Sequence, residues 1–166
     1  MDPFTRDLMP LAAQAAVLLK RRKQTVAVAE SSSAGLISAA LLAVPGASAY
    51  FIGGGVHYTR QSFLALSGTD EGMFAGIRGA TEPWALLFAR TQRGRCGATW
   101  GVGESGAAGP AGNRYGDPPG HTCLAVTGPA ERSLTLTTGS SDRYANMHAF
   151  AAAGLKLFVD VLEHQS

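Results

Sequence analysis

Apolar residues at Leu8, Leu11, Ala12, Ala15, Leu18 and Leu19 recur at intervals of three and four, the period of one helical face. That spacing predicts a helix over 5–22. The run TVAVA (25–29) is short, apolar and β-branched, which predicts a buried strand, and 33–43 returns to helical character before stopping at Pro45-Gly46. AYFIGGGVHY (49–58) reads as a strand interrupted by three glycines, a pattern that predicts a kink or a backbone held close to a ligand. Residues 59–66 resume a helix, and the polar, glycine-rich 68–79 reads as a loop or short helix. Thr81-Glu82-Pro83 then opens a helix that runs to about Arg93, with proline in the first turn where its missing N–H costs nothing. ATWGVGE (98–104) is a strand. GHTCLAVTG (120–128) and RSLTLTTG (132–139) alternate enough to pair as a hairpin through Gly128-Pro129, and 142–163 closes the chain as a helix. Helices and strands alternate first and a hairpin follows. The predicted architecture is therefore α/β, a three-layer α/β/α sandwich with a mixed central sheet, in one domain over 1–166.

Composition narrows the function more than the fold. A chain of 166 residues buries about two-thirds of its unfolded surface, so a sizeable core is expected. The net charge of +2 is too small to argue for nucleic acid, and the basic run Lys20-Arg21-Arg22-Lys23 sits where a helix C-terminus favours cations. Cys96 and Cys123 lack metal-ligand spacing and are too few for a disulfide framework, so reduced thiols and no metal are expected. The apolar stretch PLAAQAAVLL is followed, not preceded, by its positive charges, the reverse of a secretion signal, and is too short to span a bilayer. These features predict a cytoplasmic protein with neither a membrane nor a nucleic-acid partner.

Two stretches carry candidate chemistry. Ser31, Ser32 and Ser33 stand at the joint between strand and helix. Serine is among the best helix N-caps, so capping explains them on its own. A serine at a helix's first turn can also attack a carbonyl while nearby backbone N–H groups stabilise the oxyanion. Gly101-Val102-Gly103-Glu104-Ser105-Gly106 matches G-x-G-x-x-G letter for letter, but the dinucleotide fingerprint requires a helix to open there. The chain continues AAGPAGNRYGDPPG, through which no helix runs, so the segment reads as a long loop after a strand, and loops of that kind often carry function.

Taken in order and spacing, AESSSAGLISAALLAVPGASAYFIGGGVHYT, SGAAGPAGNRYGDPPGHT and the closing helix resemble the CinA C-terminal domain family, whose members include nicotinamide-nucleotide amidases. The family's A-E-S-C-T-G-G falls on Ala29-Glu30-Ser31-Ser32-Ser33-Ala34-Gly35, and its V-P-G-S-S-A-Y-F on Val44 to Phe51. Its loop motif [ST]-G-I-A-G-P falls on Ser105-Gly106-Ala107-Ala108-Gly109-Pro110, and the P-V-G that follows on Pro118-Pro119-Gly120. The resemblance implies hydrolysis of the carboxamide of nicotinamide mononucleotide to nicotinate mononucleotide and ammonia, without a cofactor. It places the nucleophile at Ser31 and Tyr58 beside it in the catalytic set. Candidate substrate contacts are Ser32, Ser33, Gly35, Gly54, Gly55, Ser105, Gly106, Ala108 and Gly109. A small-molecule ligand, nicotinamide mononucleotide or a related anion, and a homodimer are implied by resemblance only.

The pattern also breaks. The family motif Y-[ST]-N-x-x-K supplies a lysine as the serine's base, and here Tyr58 is kept while Phe63 stands at the lysine position. No lysine occurs between Lys23 and Lys156. Asp117 replaces the lysine before P-V-G. The closing helix's G-D-R-x-x-[VL]-R is blurred around Asp142-Arg143, with its later arginine aligning on about Asn146. A serine hydroxyl without a base is a poor nucleophile at neutral pH. Three readings stand: an impaired or altered family member that keeps its ligand pocket, an active amidohydrolase with a substitute base (His57, His121 or Glu104), and a non-catalytic partner-binding subunit. His57 is the poorer substitute if it lies on a strand beside Tyr58, since successive strand residues face opposite sides.

Overall fold

The computed structural model describes residues 8–165. Its elements follow in chain order: α1 (Met9–Arg22), β1 (Val26–Glu30), α2 (Leu36–Ala43), β2 (Phe51–Val56), α3 (Arg60–Ser67), α4 (Glu82–Cys96), β3 (Trp100–Ala107), β4 (His121–Thr127), β5 (Arg132–Thr137) and α5 (Arg143–Glu163). Short 3-10 turns occupy Ala47–Ala49 and Glu71–Phe74. The five strands form one mixed sheet in the order β2-β1-β3-β4-β5. β1 is parallel to both β2 and β3, and β3, β4 and β5 run antiparallel to one another.

Alternation sorts the strands' side chains onto two sides. Val26, Val28, Val102, Leu124 and Val126 pack with α1, α2 and α5 in the larger core, which Trp100 and Phe158 help to fill. On the other side Ala29 meets Phe63, Phe74, Trp84 and Phe88, while Cys123 and Ala125 meet Ala85 and Ala89 of α4. The sandwich is thus three layers with a mixed sheet, as the alternation implies. α5 is long and apolar enough to cross a membrane by length and composition alone. Residues from Phe150 to Leu162 bury its inner face against the sheet and α1, the pattern of a core helix.

Several boundaries differ from the sequence reading, each for a physical reason. The first three positions of the helix expected over 5–22 lie outside the described residues. α2 begins at Leu36 and not at 33, because the three serines are bound into a turn by two carboxylates. Gly35, at φ +93°, is its N-cap. β3 runs on to Ala107 and so takes in Ser105 and Gly106, which the sequence assigns to the loop; all seven residues from Gly101 to Ala107 pair with β4. The first two glycines of the G-x-G-x-x-G decoy serve packing. A Cβ on Gly101 or Gly103 would collide with the carbonyl oxygen of Ala89 or Ala85, because α4 lies directly on β3. The glycines of β2 make room for side chains of their own protein: a Cβ on Gly54 would meet Ser38 Oγ, and one on Gly55 would lie 2.8 Å from His57 Nε2.

Candidate active site

The parallel strands β1 and β2 end side by side, where ligands of open α/β sheets commonly bind. His57 N donates to Glu30 O at 2.7 Å, so the residue after β2 is tied to the residue before Ser31. Around this point opens a cavity of about 430 Å³, within the range that holds small molecules. Ser31, Ser105 and Gly106 form one wall, and His57, Tyr58, Trp84 and Phe88 another. Asn113, Arg114 and Tyr115 reach in from the loop after β3, joined by Arg60 and Gln61 at the start of α3.

Ser31 is 8% exposed, and its Oγ takes no hydrogen-bond partner among the described residues. Its backbone N–H does not point to the cavity; it donates to Glu104 Oε2 at 3.0 Å. Ser105 Oγ accepts from Ala80 N at 3.1 Å, which helps hold Ala80 in a left-handed conformation at φ +56° on the wall. His121 Nε2 donates to the carbonyl of the same residue at 2.8 Å. A non-glycine residue in that region costs roughly 1–3 kcal/mol and persists only where its surroundings fix it, as these two bonds do.

Of the three candidate bases, only His57 reaches the cavity. Glu104 is buried beneath the serines and His121 latches Ala80. His57 and Tyr58 both line the wall because they lie beyond the end of β2, where strand alternation no longer applies. The imidazole packs edge-on against Phe63 and Phe88, with centroids 5.3 and 5.8 Å away. Nε2 stands 3.2 Å from Gln92 Oε1, a carbonyl oxygen, so Nε2 carries the hydrogen and Nδ1 keeps its lone pair. Nδ1 is buried with no partner among the described residues. Phe63, at the position of the family lysine, is fully buried against Phe74, Trp84 and Phe88.

The remaining sequence candidates lie elsewhere. Ser32 and Ser33 are buried and engaged by carboxylates: Ser32 Oγ donates to Glu104 Oε1, and Ser33 bonds both Glu30 and Glu104. Gly35, Gly54 and Gly55 are off the wall, serving the turn into α2 and the packing of Ser38 and His57. The carbonyls of Ala108 and Gly109 are held by Asn146 Nδ2 at 2.8 Å and Arg143 Nη1 at 2.6 Å. Arg143 Nη2 also donates to Tyr58 Oη at 3.0 Å. Asn146, on the family's later arginine position, therefore fastens the loop with uncharged hydrogen bonds.

The wall is charged without the lysines that the resemblance implies. Arg60 and Arg114 both line it, and no Asp or Glu does. The Arg60 guanidinium lies 5.0 Å from the Phe74 ring centroid and Arg114 at the same distance from Tyr115, while neither joins an ion pair among the described residues. Asp117, on the other lost lysine position, is committed to Arg78, with Nη1 to Oδ2 at 2.7 Å and Nη2 to Oδ1 at 3.2 Å. The guanidinium holds the Asp117 carboxyl below the usual carboxylate range, and Asn113 Nδ2 adds a bond at 2.8 Å that closes the 113–117 turn. The sequence reading missed Trp84, Phe88, Asn113, Arg114 and Tyr115. The pair Arg114-Tyr115 in a Gly/Pro-rich loop was the one local signal.

Comparison with known proteins agrees with this fold. The family model of the CinA C-terminal domain matches residues 8–162. A CinA-like protein of Gloeobacter violaceus is 36% identical over 141 residues, covering 84% of this chain and 33% of that protein. A CinA-like protein of Desulfosudis oleivorans is 37% identical over 154 residues, covering 92% and 37%. The chain thus spans about a third of the length of these curated relatives. Among solved structures, the competence/damage inducible protein CihA of Agrobacterium tumefaciens superposes with a TM-score of 0.88 at 25% identity, covering 99% of this chain and 100% of its own. The competence damage-inducible protein A (ComA) of Klebsiella pneumoniae shares the fold, with a TM-score of 0.87 at 21% identity over 95% and 98%. With the family's domain matched almost end to end and the fold reproduced, this chain belongs to the CinA C-terminal domain family.

Proposed function

We propose that the cavity binds a small molecule joining a flat, amide-bearing ring to an anionic group, of which nicotinamide mononucleotide is one. We propose further that lysine-assisted hydrolysis of that amide is impaired. The observation that carries this reading is the wall itself. Two guanidiniums without acidic partners among the described residues, Arg60 and Arg114, stand among the rings of Trp84, Phe88, Tyr58 and Tyr115, with no carboxylate among the described lining residues to repel an anion. Arginine forks suit phosphate oxygens, and aromatic faces suit a planar ring. Phe63 in a closed aromatic cluster takes no proton from Ser31.

The test is binding and turnover measured together on the full chain with nicotinamide mononucleotide. Calorimetry is expected to show binding, and the melting temperature to rise with ligand because only the folded state binds it. Arg60→Ala and Arg114→Ala should each weaken affinity roughly tenfold, the loss of about 1.4 kcal/mol. Ammonia release should stay at background. Unaltered affinity in the double arginine variant would overturn the reading.

One observation favours a second reading, in which the chain is an active amidohydrolase. His57 Nδ1 is a buried acceptor without a partner among the described residues, and His57 lines the same cavity as Ser31. In that mechanism Ser31 Oγ attacks the amide carbon, Nδ1 receives the hydroxyl proton and passes it to the departing ammonia, and water then hydrolyses the acyl-serine. Ammonia release that disappears in both Ser31→Ala and His57→Gln would select it over the impaired reading.

A further inference from the structure

Beneath the serine turn lie two carboxyl groups that the cavity does not use. Glu30, the last residue of β1, and Glu104, in β3, are both 0% exposed. Ser33 Oγ stands between them, 2.7 Å from Glu30 Oε1 and 2.9 Å from Glu104 Oε2. A hydroxyl carries one hydrogen, so it donates to one of these oxygens and not to both. If both carboxyls were ionised, the other contact would press a hydroxyl lone pair against a carboxylate oxygen.

Among the described residues no ion pair relieves that repulsion. Neither carboxylate joins an ion pair among the described residues. β2 and α2 contain no titratable side chain, and His57, just past β2, turns to Phe63 and Phe88 on the opposite side of the sheet. On β4, Thr122 faces Glu104, donating to Oε1 at 2.7 Å, while His121 and Cys123 alternate to the other side and meet the Ala80 carbonyl. On α5, Arg143 is held by Gly109 O and Tyr58 Oη, and the other titratable residues before Lys156 are Tyr144 and His148, whose rings pack against each other with centroids 5.6 Å apart. Two buried like charges without a counter-ion are the setting in which one carboxyl keeps its proton.

We propose that Glu30 and Glu104 share a single proton through Ser33, a carboxylic acid–hydroxyl–carboxylate chain that positions the turn presenting Ser31. Counting donors places the proton. Backbone N–H groups can only donate. Glu104 Oε2 already accepts two of them, Ser31 N at 3.0 Å and Ser33 N at 2.8 Å, whereas Glu30 Oε1 accepts one, Ile37 N at 2.9 Å. Glu30 Oε1 therefore holds the proton and donates it to Ser33 Oγ, whose own hydrogen goes to Glu104 Oε2. Burial pushes the Glu30 carboxyl up against the opposing pull of its bonds to Ser33, Ile37 and Ser38, in agreement with this count. Glu30 and Glu104 are positioning residues here, and the arrangement is the same whichever ligand the cavity takes.

The test is a pH titration of the full chain carrying ¹³C-labelled glutamate, with each carboxyl carbon assigned through bonds to its own backbone. At neutral pH the Glu30 carboxyl carbon is expected at the protonated position and that of Glu104 at the ionised one. The amide protons of Ser31 and Ser33, which donate to Glu104, should move with the same midpoint as Glu30 when the pH is raised. Because the folded state holds this proton more tightly than the unfolded chain, thermal stability should fall as pH rises from the ordinary carboxylate range toward the Glu30 midpoint. In Glu30→Gln the protonated signal and the coupled amide shifts should both vanish. The wild-type titration stands alone if that variant does not fold. Both carboxyl carbons ionised at neutral pH, or Ser31 and Ser33 amides indifferent to the Glu30 titration, would overturn the proposal.

Discussion

Ser31 and Ser33 stand two residues apart on one turn and meet opposite surroundings. Ser31 borders an open cavity and its hydroxyl is unengaged; Ser33 is fully enclosed and its hydroxyl touches two carboxyl groups. Nothing in the residue type separates them. The difference comes from which side of the sheet each reaches: the side of α4, with its aromatic rings and arginines, or the side of α2 and α5, where β1 ends in Glu30 and β3 carries Glu104. On the first side polar atoms are left over, Ser31 Oγ and His57 Nδ1 among them. On the second, every carboxyl oxygen has at least two hydrogen-bond partners. Spare hydrogen-bonding capacity marks where a ligand can act, and saturation marks the frame that holds it.

Substitutions can break that contrast. The largest effect is expected from Glu104→Ala, which strips the acceptor from Ser31 N, Ser32 Oγ, Ser33 N and Oγ, and Thr122 Oγ1 together. A buried donor left unsatisfied costs about 1–3 kcal/mol, and water entering the gap recovers part, so a loss of at least ~3 kcal/mol should appear in a denaturant titration. Ser33→Ala removes one bridging hydroxyl and should cost about 1–2 kcal/mol by the same measurement. Ser31→Ala deletes a hydroxyl that bonds nothing and should lie within about 0.5 kcal/mol of the parent, while abolishing any ammonia release. Equal losses at positions 31 and 33 would erase the distinction between the two sides.

The layers were legible in the sequence because they rest on period. The apolar spacing of α1, the strand at TVAVA and the hairpin of β4 and β5 each record one local geometry. The edges were less so: three serines before α2 look like an N-cap, and only the distant Glu104 makes them a turn. Glu104 itself left a trace, an acid two residues after Val102 on the inward side of a strand, but its serine partners are more than seventy positions away. Likewise the motif located Ser31, Tyr58, Ser105 and Gly106, whereas Arg114, Tyr115 and Trp84 meet them only through folding. The missing lysines point to an impaired or altered family member. Arg60, two residues after Tyr58 within the motif, and Arg114, outside every motif, supply charge to the wall.

Gly101 and Gly103 never touch the cavity, yet they govern its calibre. By leaving two blanks in β3 they let α4 settle onto the sheet, and α4 carries the rings of Trp84 and Phe88 and the amide of Gln92 that braces His57. A single methyl group there would act as a wedge, tilting the helix and shifting floor and brace at once. The recess beside Ser31 is therefore sized from behind, by absent side chains on a neighbouring strand.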